Sequence, residues 1–291
     1  MRRLSSKKHT HTFSPRNRPA YRSAIGETLL VETEDAFSGL VTKETVLFED
    51  TDMADVNPAT GPIEVEGVRA GDVLGVRIER IDCGPRGVVM CSPEIGILAS
   101  EVRRSRTKIV QVRGGLARMS KDLEVALRPH VGVIGVSPAE GEFPTIHPGD
   151  FGGNMDTGEA GPGSVVYLPV FVDGAMLAMG DVHAAMGDGE VGGTGIEVSA
   201  DVTVTLLKAD QLELKRPMIE TPTEWIAYAA AKSLDEAAKL ATHDLVRFIA
   251  NARGVDFEEA YMLASVAADL RISQVVDPLM AARMSISKKY L

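Results

Sequence analysis

Apolar residues alternate with polar ones, or gather in short β-branched runs, along most of the chain up to about Leu214. Thr28–Thr33, Val73–Ile81, Lys108–Val112, Val165–Val172 and Ser199–Leu207 carry the two-residue period or the Val/Ile content of strands. Val131–Val136 is a further short apolar run. Gly, Pro and Asp punctuate these segments, and Gly26–Glu27 and Ala70–Asp72 read as tight turns. The pattern changes after Pro222. Ile226 to Leu240 is rich in helix formers, Thr242 to Ala252 continues the helix, and Gly254 is its expected C-cap. Asp256 reads as the N-cap of another helix, with Glu258 and Glu259 in its first turn and Ala260, Leu263, Ala264 and Ala267 at helical spacing. Tyr261 to Ile272 is expected to be a buried helix packed on the β domain or on a second subunit. The fold class is therefore mainly β with α, an α+β arrangement. It forms one domain over 13–291, β-rich over 13–215 and helical over 223–272, after a basic flexible tail at 1–12.

The chain of 291 residues is 44% hydrophobic and 25% charged, enough for a sizeable core. A net charge of −10 argues against a nucleic-acid partner, which needs a basic face. No segment has the apolar length to span a bilayer, and the basic start lacks the apolar run of a secretory signal. No membrane partner and a cytoplasmic location are the expectations. In that setting Cys83 and Cys91 are expected to be free thiols.

Three polar patches could carry chemistry. In Gly180–Glu190, Asp181 and His183 stand one residue apart, so in an extended segment both face one way. Such a pair can ligate a cation or act as a base and its orienting partner; it can also be a hydrogen-bonded turn. The glycine-rich acidic continuation through Asp188 and Glu190 leaves site and turn about evenly balanced. In Ile146–Asp156, Gly152 and Gly153 permit close backbone approach, Asn154 suits an oxyanion, and Asp156 suits a substrate N–H or a metal. In Asp52–Pro62, prolines stiffen a loop around Asn57 and Thr60 that could border a pocket. Glu197 and Asp35 each follow a strand-like segment and could be idle or catalytic, while His130 and His243 read as core histidines. There is no Gly-x-Ser-x-Gly elbow, P-loop or dinucleotide fingerprint.

Taken in order, Asn57–Ile63, Gly71–Leu74, Gly132–Val136, Gly152–Asp156, Leu168–Phe171, Gly180–Ala185, Gly187–Glu190 and Tyr261–Ile272 resemble the acetamidase/formamidase family along almost the whole chain. The resemblance implies a barrel-like β domain with C-terminal helices packed against it. It implies hydrolysis of a short linear amide to a carboxylate and ammonia, or of a cyclic amide such as a γ-lactam. It further implies a divalent metal, Zn or alternatively Ca, and a homodimer or dimer of dimers. Many members carry Gln where this chain has Met186 and Cys where it has Gly193, so Met186 is expected to shape the substrate pocket.

The working assignment gives the metal to Asp181, His183 and Asp35, and proton transfer to Glu190 or Glu197. The oxyanion falls to Asn154 or a Gly152/Gly153 N–H, and substrate contacts to Asn57, Thr60, Gly152, Gly153, Asp156 and Met186. The rival is a metal- or small-molecule-binding relative without catalysis.

Overall fold

The computed structural model describes all 291 residues. Its spine is a pair of long antiparallel strands, Val73–Cys91 and Glu197–Lys208, paired from Glu197 opposite Val88 to Lys208 opposite Leu74, with register shifts between Val198 and Ala200 and between Thr203 and Val204. Thr28–Thr33 pairs with the second of these strands, Ala200 opposite Thr33. Val198, Ala200, Val202, Val204 and Leu206 recur at every second position and are all buried. Each valine or leucine of the row contributes about 1.5–3 kcal/mol when fully buried, and a one-residue slip would turn the whole row outward. That row fixes the register, and with it the height of Glu197 at the strand's start.

The sheet curls on itself, so that Leu177–His183 is covered on both edges. Along it, His130–Gly135 pairs antiparallel on one side and Ala59–Glu66 on the other, and its end meets Glu197 and Val198. All seven residues of this strand are buried, the acid and the imidazole included. The expected mainly-β domain with C-terminal helices is the one observed.

Three expectations need correction. Residues 1–12 are not a frayed tail: Arg2–Leu4 pairs in parallel with Leu29–Val31, His9–Thr10 pairs with Ala59 and Thr60, and Leu4 is 1% exposed. The apolar Leu4 anchors a segment whose charges face solvent. The run from Ile226 is not helical from its start. Glu224–Ala231 is a strand paired with Met280–Ser287, and helix α1 spans Leu234–Arg253. Alanine tolerates either state, so the pairing and burial of Ile226 and Tyr228 decide it. Tyr261–Ile272 is not one buried helix. Helix α2 spans Phe257–Ala267, and Ala268–Gln274 is a strand. Only Ala260 and Ala264 of α2 are buried, while Tyr261, Met262 and Val266 are exposed.

The helix ends follow the sequence. Ser233 accepts from the Glu236 N–H and Asp256 from the Glu259 N–H, each relieving an orphan donor. Gly254 closes α1 at φ 65°, the left-handed cap glycine adopts without a Cβ penalty. Ala237, Ala241, Leu245, Val246 and Ile249 turn to one face of α1; the last four share a core with Ala227, Ala229, Met284 and Ile286 of the sheet.

Candidate active site

Three neighbouring strands fix one imidazole. His183 ends its strand directly opposite His130 on one side and Glu197 on the other. Its Nδ1 lies 3.3 Å from His130 Nε2, and its Nε2 lies 3.1 Å from Glu197 Oε2 and 3.6 Å from Asp181 Oδ1. Loops deliver the other acids. Glu190 Oε1 is 3.8 Å from His183 Nε2, and Asp156 Oδ1 is 3.9 Å from Nδ1. Asp156, Asp181, His183, Glu190 and Glu197 are all buried.

Side-chain amides tie the acids together. Asn57 Nδ2 donates to Asp181 Oδ2 at 2.9 Å and to Asn154 Oδ1 at 3.3 Å. Asn154 Nδ2 in turn donates to Asp277 Oδ2 at 3.0 Å. After these bonds, Asp156 Oδ1 and Oδ2 and Asp181 Oδ1 are buried without a hydrogen-bond donor, and Glu197 Oε2 has only its ion-pair contact with His183 Nε2. Leaving such groups unpaired costs several kcal/mol unless a proton or a cation meets them.

The backbone is bent to aim these groups. Seven non-glycine residues have positive φ, and four are in the cluster: Asn57 at 53°, Asp156 at 41°, Asp181 at 52° and Glu190 at 46°. Each such conformation costs about 1–3 kcal/mol, and this strain concentrates where side chains must point inward. Gly132 completes the packing. A Cβ there would fall 2.6 Å from Asp156 Oδ1 and 2.9 Å from Asp181 Oδ2.

Crowded buried acids resist ionisation together. Burial raises Glu197 to about 8, with the charge of His183 opposing and that of Asp181 assisting. Burial likewise raises Asp156 to about 6, against the pull of His183. Glu190 and Asp277 are pushed well up, by burial and then by the charge of Asp156. Asp181 is the exception: burial is the largest influence and opposes its charge, but the charge and hydrogen bond of His183 together with Glu197 and His130 hold it below the ordinary value. For His183 burial is also unfavourable, yet Glu197 and Asp181 keep it well above the usual imidazole range. His130, buried beside that cation, is lowered to about 3 and stays neutral. Asp181, His183, Glu190 and Glu197, with Asn57, Asn154 and Asp277, line an open cavity of about 360 Å³.

A sequence profile described as the Acetamidase/Formamidase family matches residues 5–143 and 139–288, nearly the whole chain. This chain belongs to that family. It is similar to the solved acetamidase of Bacillus halodurans, with 40% identity and a TM-score of 0.97 over 99% of this chain and 98% of that one. The solved acetamidase of Yersinia enterocolitica is 28% identical, with a TM-score of 0.94 over 99% and 92% of the two chains. The formamidase of Methylophilus methylotrophus is 38% identical over 106 residues, 33% of this chain and 26% of that protein. The protein is an amidohydrolase acting on carbon–nitrogen bonds other than peptide bonds.

Within this member of the family, the structure brings Asn57, Asn154, Asp156, Asp181, His183, Glu190 and Glu197 together. It does not bring in Asp35, whose Oδ1 accepts the N–H groups of Phe37 and Gly39 and so holds a turn. Thr60 donates to the Glu32 carbonyl instead of facing the cavity. Gly152 and Gly153 pair with Gly135 and Ile134, and a Cβ at either would meet a carbonyl oxygen within 2.3 Å. They serve close strand packing and do not line the cavity. Met186 is buried outside the cavity wall, which Gly193 does line. His243 is exposed, whereas His130 is buried as expected but against the site histidine. Asp277 was not anticipated: Val276-Asp277-Pro278 carries no spacing signal, and only the fold brings it to Asn154. Cys83 and Cys91 are free, and burial pushes the Cys83 thiol up to about 11, far from a thiolate nucleophile.

Proposed function

We propose that the protein hydrolyses a small linear amide to a carboxylate and ammonia, and that the His183 cluster holds a divalent cation for this reaction. The carrying observation is that the buried carboxylates of Asp156, Asp181, Glu190 and Glu197 all lie within 4 Å of one imidazole, with Asp156 Oδ1 and Oδ2 and Asp181 Oδ1 lacking a donor, beside an open cavity that Asp181, His183, Glu190 and Glu197 line. Two overlapping ligand sets fit a cation there: Asp181, His183 and Glu197, and Asp156, His183 and Glu190. Carboxylates alone suit a hard ion such as Ca²⁺, while an imidazole among them suits Zn²⁺, which is our assignment. When bound, such an ion supplies Lewis-acid polarisation of the amide carbonyl and a lowered pKa for water.

The chain's own groups handle the protons. An amine leaves poorly unless protonated, and Glu190, pushed well above the ordinary carboxyl range, holds a proton at its carboxyl to give. The set Asp181, His183 and Glu197 leaves Glu190 free as the acid; the proton that burial holds on Glu197 is displaced when a cation binds, and the second carboxylate oxygen of Glu197 is then the base that takes a proton from the attacking water. Asn154 has one N–H committed to Asp277, so its second is the donor left for the oxyanion. Asn57 is a positioning residue that holds Asp181 and Asn154 in place.

A homo-oligomer and a cytoplasmic setting belong to the same reading. The strand Ala268–Gln274 pairs along one edge with Met280–Ser287, and Leu270 and Ile272 extend the exposed apolar face of α2. Antiparallel pairing with a second copy about Leu270 would set Asp269 opposite Arg271, a self-complementary charge pattern. The two free thiols suit a reducing compartment. No helix is long and apolar enough to cross a membrane.

The deciding experiment measures ammonia released from formamide and acetamide by chelator-treated protein, before and after Zn²⁺ or Ca²⁺ is restored. Loss and recovery of turnover is the expected result; full activity without a cation would refute the cation's role.

A further inference from the structure

From the walls of the cavity, we infer that the substrate is a neutral primary amide whose acyl group is a hydrocarbon chain or ring larger than acetyl. This rests on the amide-hydrolase reading above and specifies its substrate. The first observation is size. The cavity holds about 360 Å³. Cavities of roughly 300–1,000 Å³ take ligands of drug size. At roughly 30 Å³ per water, it has room for on the order of a dozen waters, far more than the four heavy atoms of acetamide require.

The second observation is the division of polarity. The acids, the amides and His183 come together in one hydrogen-bonded and ion-paired cluster, and apart from Thr194 the remaining lining is apolar side chains, Phe37, Phe48, Met53, Val56, Ile95 and Ile146 among them, with Gly193. No lysine or arginine lines the cavity, so an acyl group bearing a carboxylate would meet the acidic cluster with no counter-charge. Thr194 is the hydroxyl nearest such a wall, and it is already committed: its Oγ1 accepts the Met90 N–H at 3.1 Å and sits 3.3 Å from the Met90 carbonyl. The wall therefore offers contact area and no hydrogen bond to an acyl substituent.

The third observation is that this wall is supported by residues with no other role in the site. Asp35 spends its carboxylate on the N–H groups of Phe37 and Gly39, fixing the turn that carries Phe37. Gly193, at φ 89°, has no side chain, and a Cβ there would stand 2.9 Å from Ile95 Cβ. Glycine at this position leaves Ile95 its place in the wall. An apolar surface fixed in this way gains only from an apolar ligand, since burying a methylene is favourable and burying an unpaired polar group is not.

The test is kcat/KM by ammonia release for formamide, acetamide, butyramide, hexanamide and benzamide with the cation-loaded protein. Each added methylene in an apolar pocket is worth about 10–200-fold in discrimination at the upper range. We expect kcat/KM to rise at least about tenfold from acetamide to butyramide. If formamide or acetamide is the best substrate, the acyl-wall inference falls and amide hydrolysis stands. If no amide in the series releases ammonia, the amide-hydrolase reading falls with it. Ile95→Phe, which fills the wall, should lower the hexanamide-to-acetamide ratio by about tenfold. Ile95→Ala, which cannot overpack, should lower the butyramide-to-acetamide ratio several-fold. Unchanged ratios in both folded variants would remove Ile95 from the wall.

Discussion

His183 and Glu197 face each other across adjacent antiparallel strands, with Nε2 and Oε2 3.1 Å apart. The contact is set by backbone register, so neither residue can leave it by a simple rotamer change without opening a buried gap. On the opposite edge His130 stands in the same relation to His183. The imidazole therefore has one fixed position, and the acids are arranged about it.

Glu197→Gln keeps the side-chain shape and removes the base. We expect kcat for amide hydrolysis to fall about 10²–10⁴-fold, the usual value of a general acid or base, with the circular dichroism spectrum unchanged. A variant as active as the native protein would rule Glu197 out as the base.

The pH dependence of stability follows from the raised acids. Glu197 at about 8 and Asp156 at about 6 lie above their unfolded values of about 4. The folded protein thus binds these protons more tightly than the unfolded chain. That contribution is complete below about pH 4 and is lost as pH rises through 6 and then 8. Chelated protein should show a Tm that falls between about pH 5 and 8, and Zn²⁺ should flatten the decline. A Tm that rises across this window would contradict the assigned directions.

Cation binding must displace the same protons. Affinity should increase with pH, and binding should release at least about one proton per ion. Isothermal titration calorimetry in buffers of different ionisation enthalpy counts them. A heat independent of buffer would mean that the carboxyls are already ionised and that the burial argument fails.

Gly132→Ala tests the packing beneath the acids. Its Cβ would press on Asp156 Oδ1 and Asp181 Oδ2, 2.6 and 2.9 Å away. We expect cation affinity to drop at least about tenfold, while thermal stability falls by only about 1–3 kcal/mol, the ordinary cost of overpacking. Equal Zn²⁺ affinity in the two proteins would show that the acids can yield.

Arg283 braces the Glu190 turn from behind. It is buried, donates to Asp188 at 2.7 Å and to Glu159 at 3.1 Å, and has no charge partner within the reacting cluster. Arg283→Met should lower stability by up to about 3 kcal/mol, the low end for a broken buried pair because Asp188 is half exposed. Turnover should fall with it as Glu190 loses its support; denaturant unfolding and ammonia release report the two effects separately.

Much of the scaffold was legible because alternation is a local signal. Thr28–Thr33 is a strand with those same ends, and Gly254 and Asp256 cap the helices as their chemistry requires. The Asp181–His183 pair was also legible, since an extended segment sends both to one face. Glu224–Ala231 was not, because an alanine-rich run fits helix or strand until a partner strand is present. Asp35 misled for a related reason: a buried acid after a strand can serve a metal or a turn, and only its two N–H donors distinguish them. Asp277 lies about eighty residues from its nearest neighbour in the acidic cluster, Glu197, beyond any spacing argument.

That dispersal has a consequence for how the protein comes into being. The groups of the site are spread from Asn57 to Asp277 and meet only when the curled sheet has closed. Topologies dominated by such distant pairings fold slowly. During synthesis the acids stand apart in water with ordinary affinities, so an ion has nothing to template. On the proposed reading, metallation would then be the last event in maturation, and a chain that stalls with its final strands undocked would be protein without an enzyme.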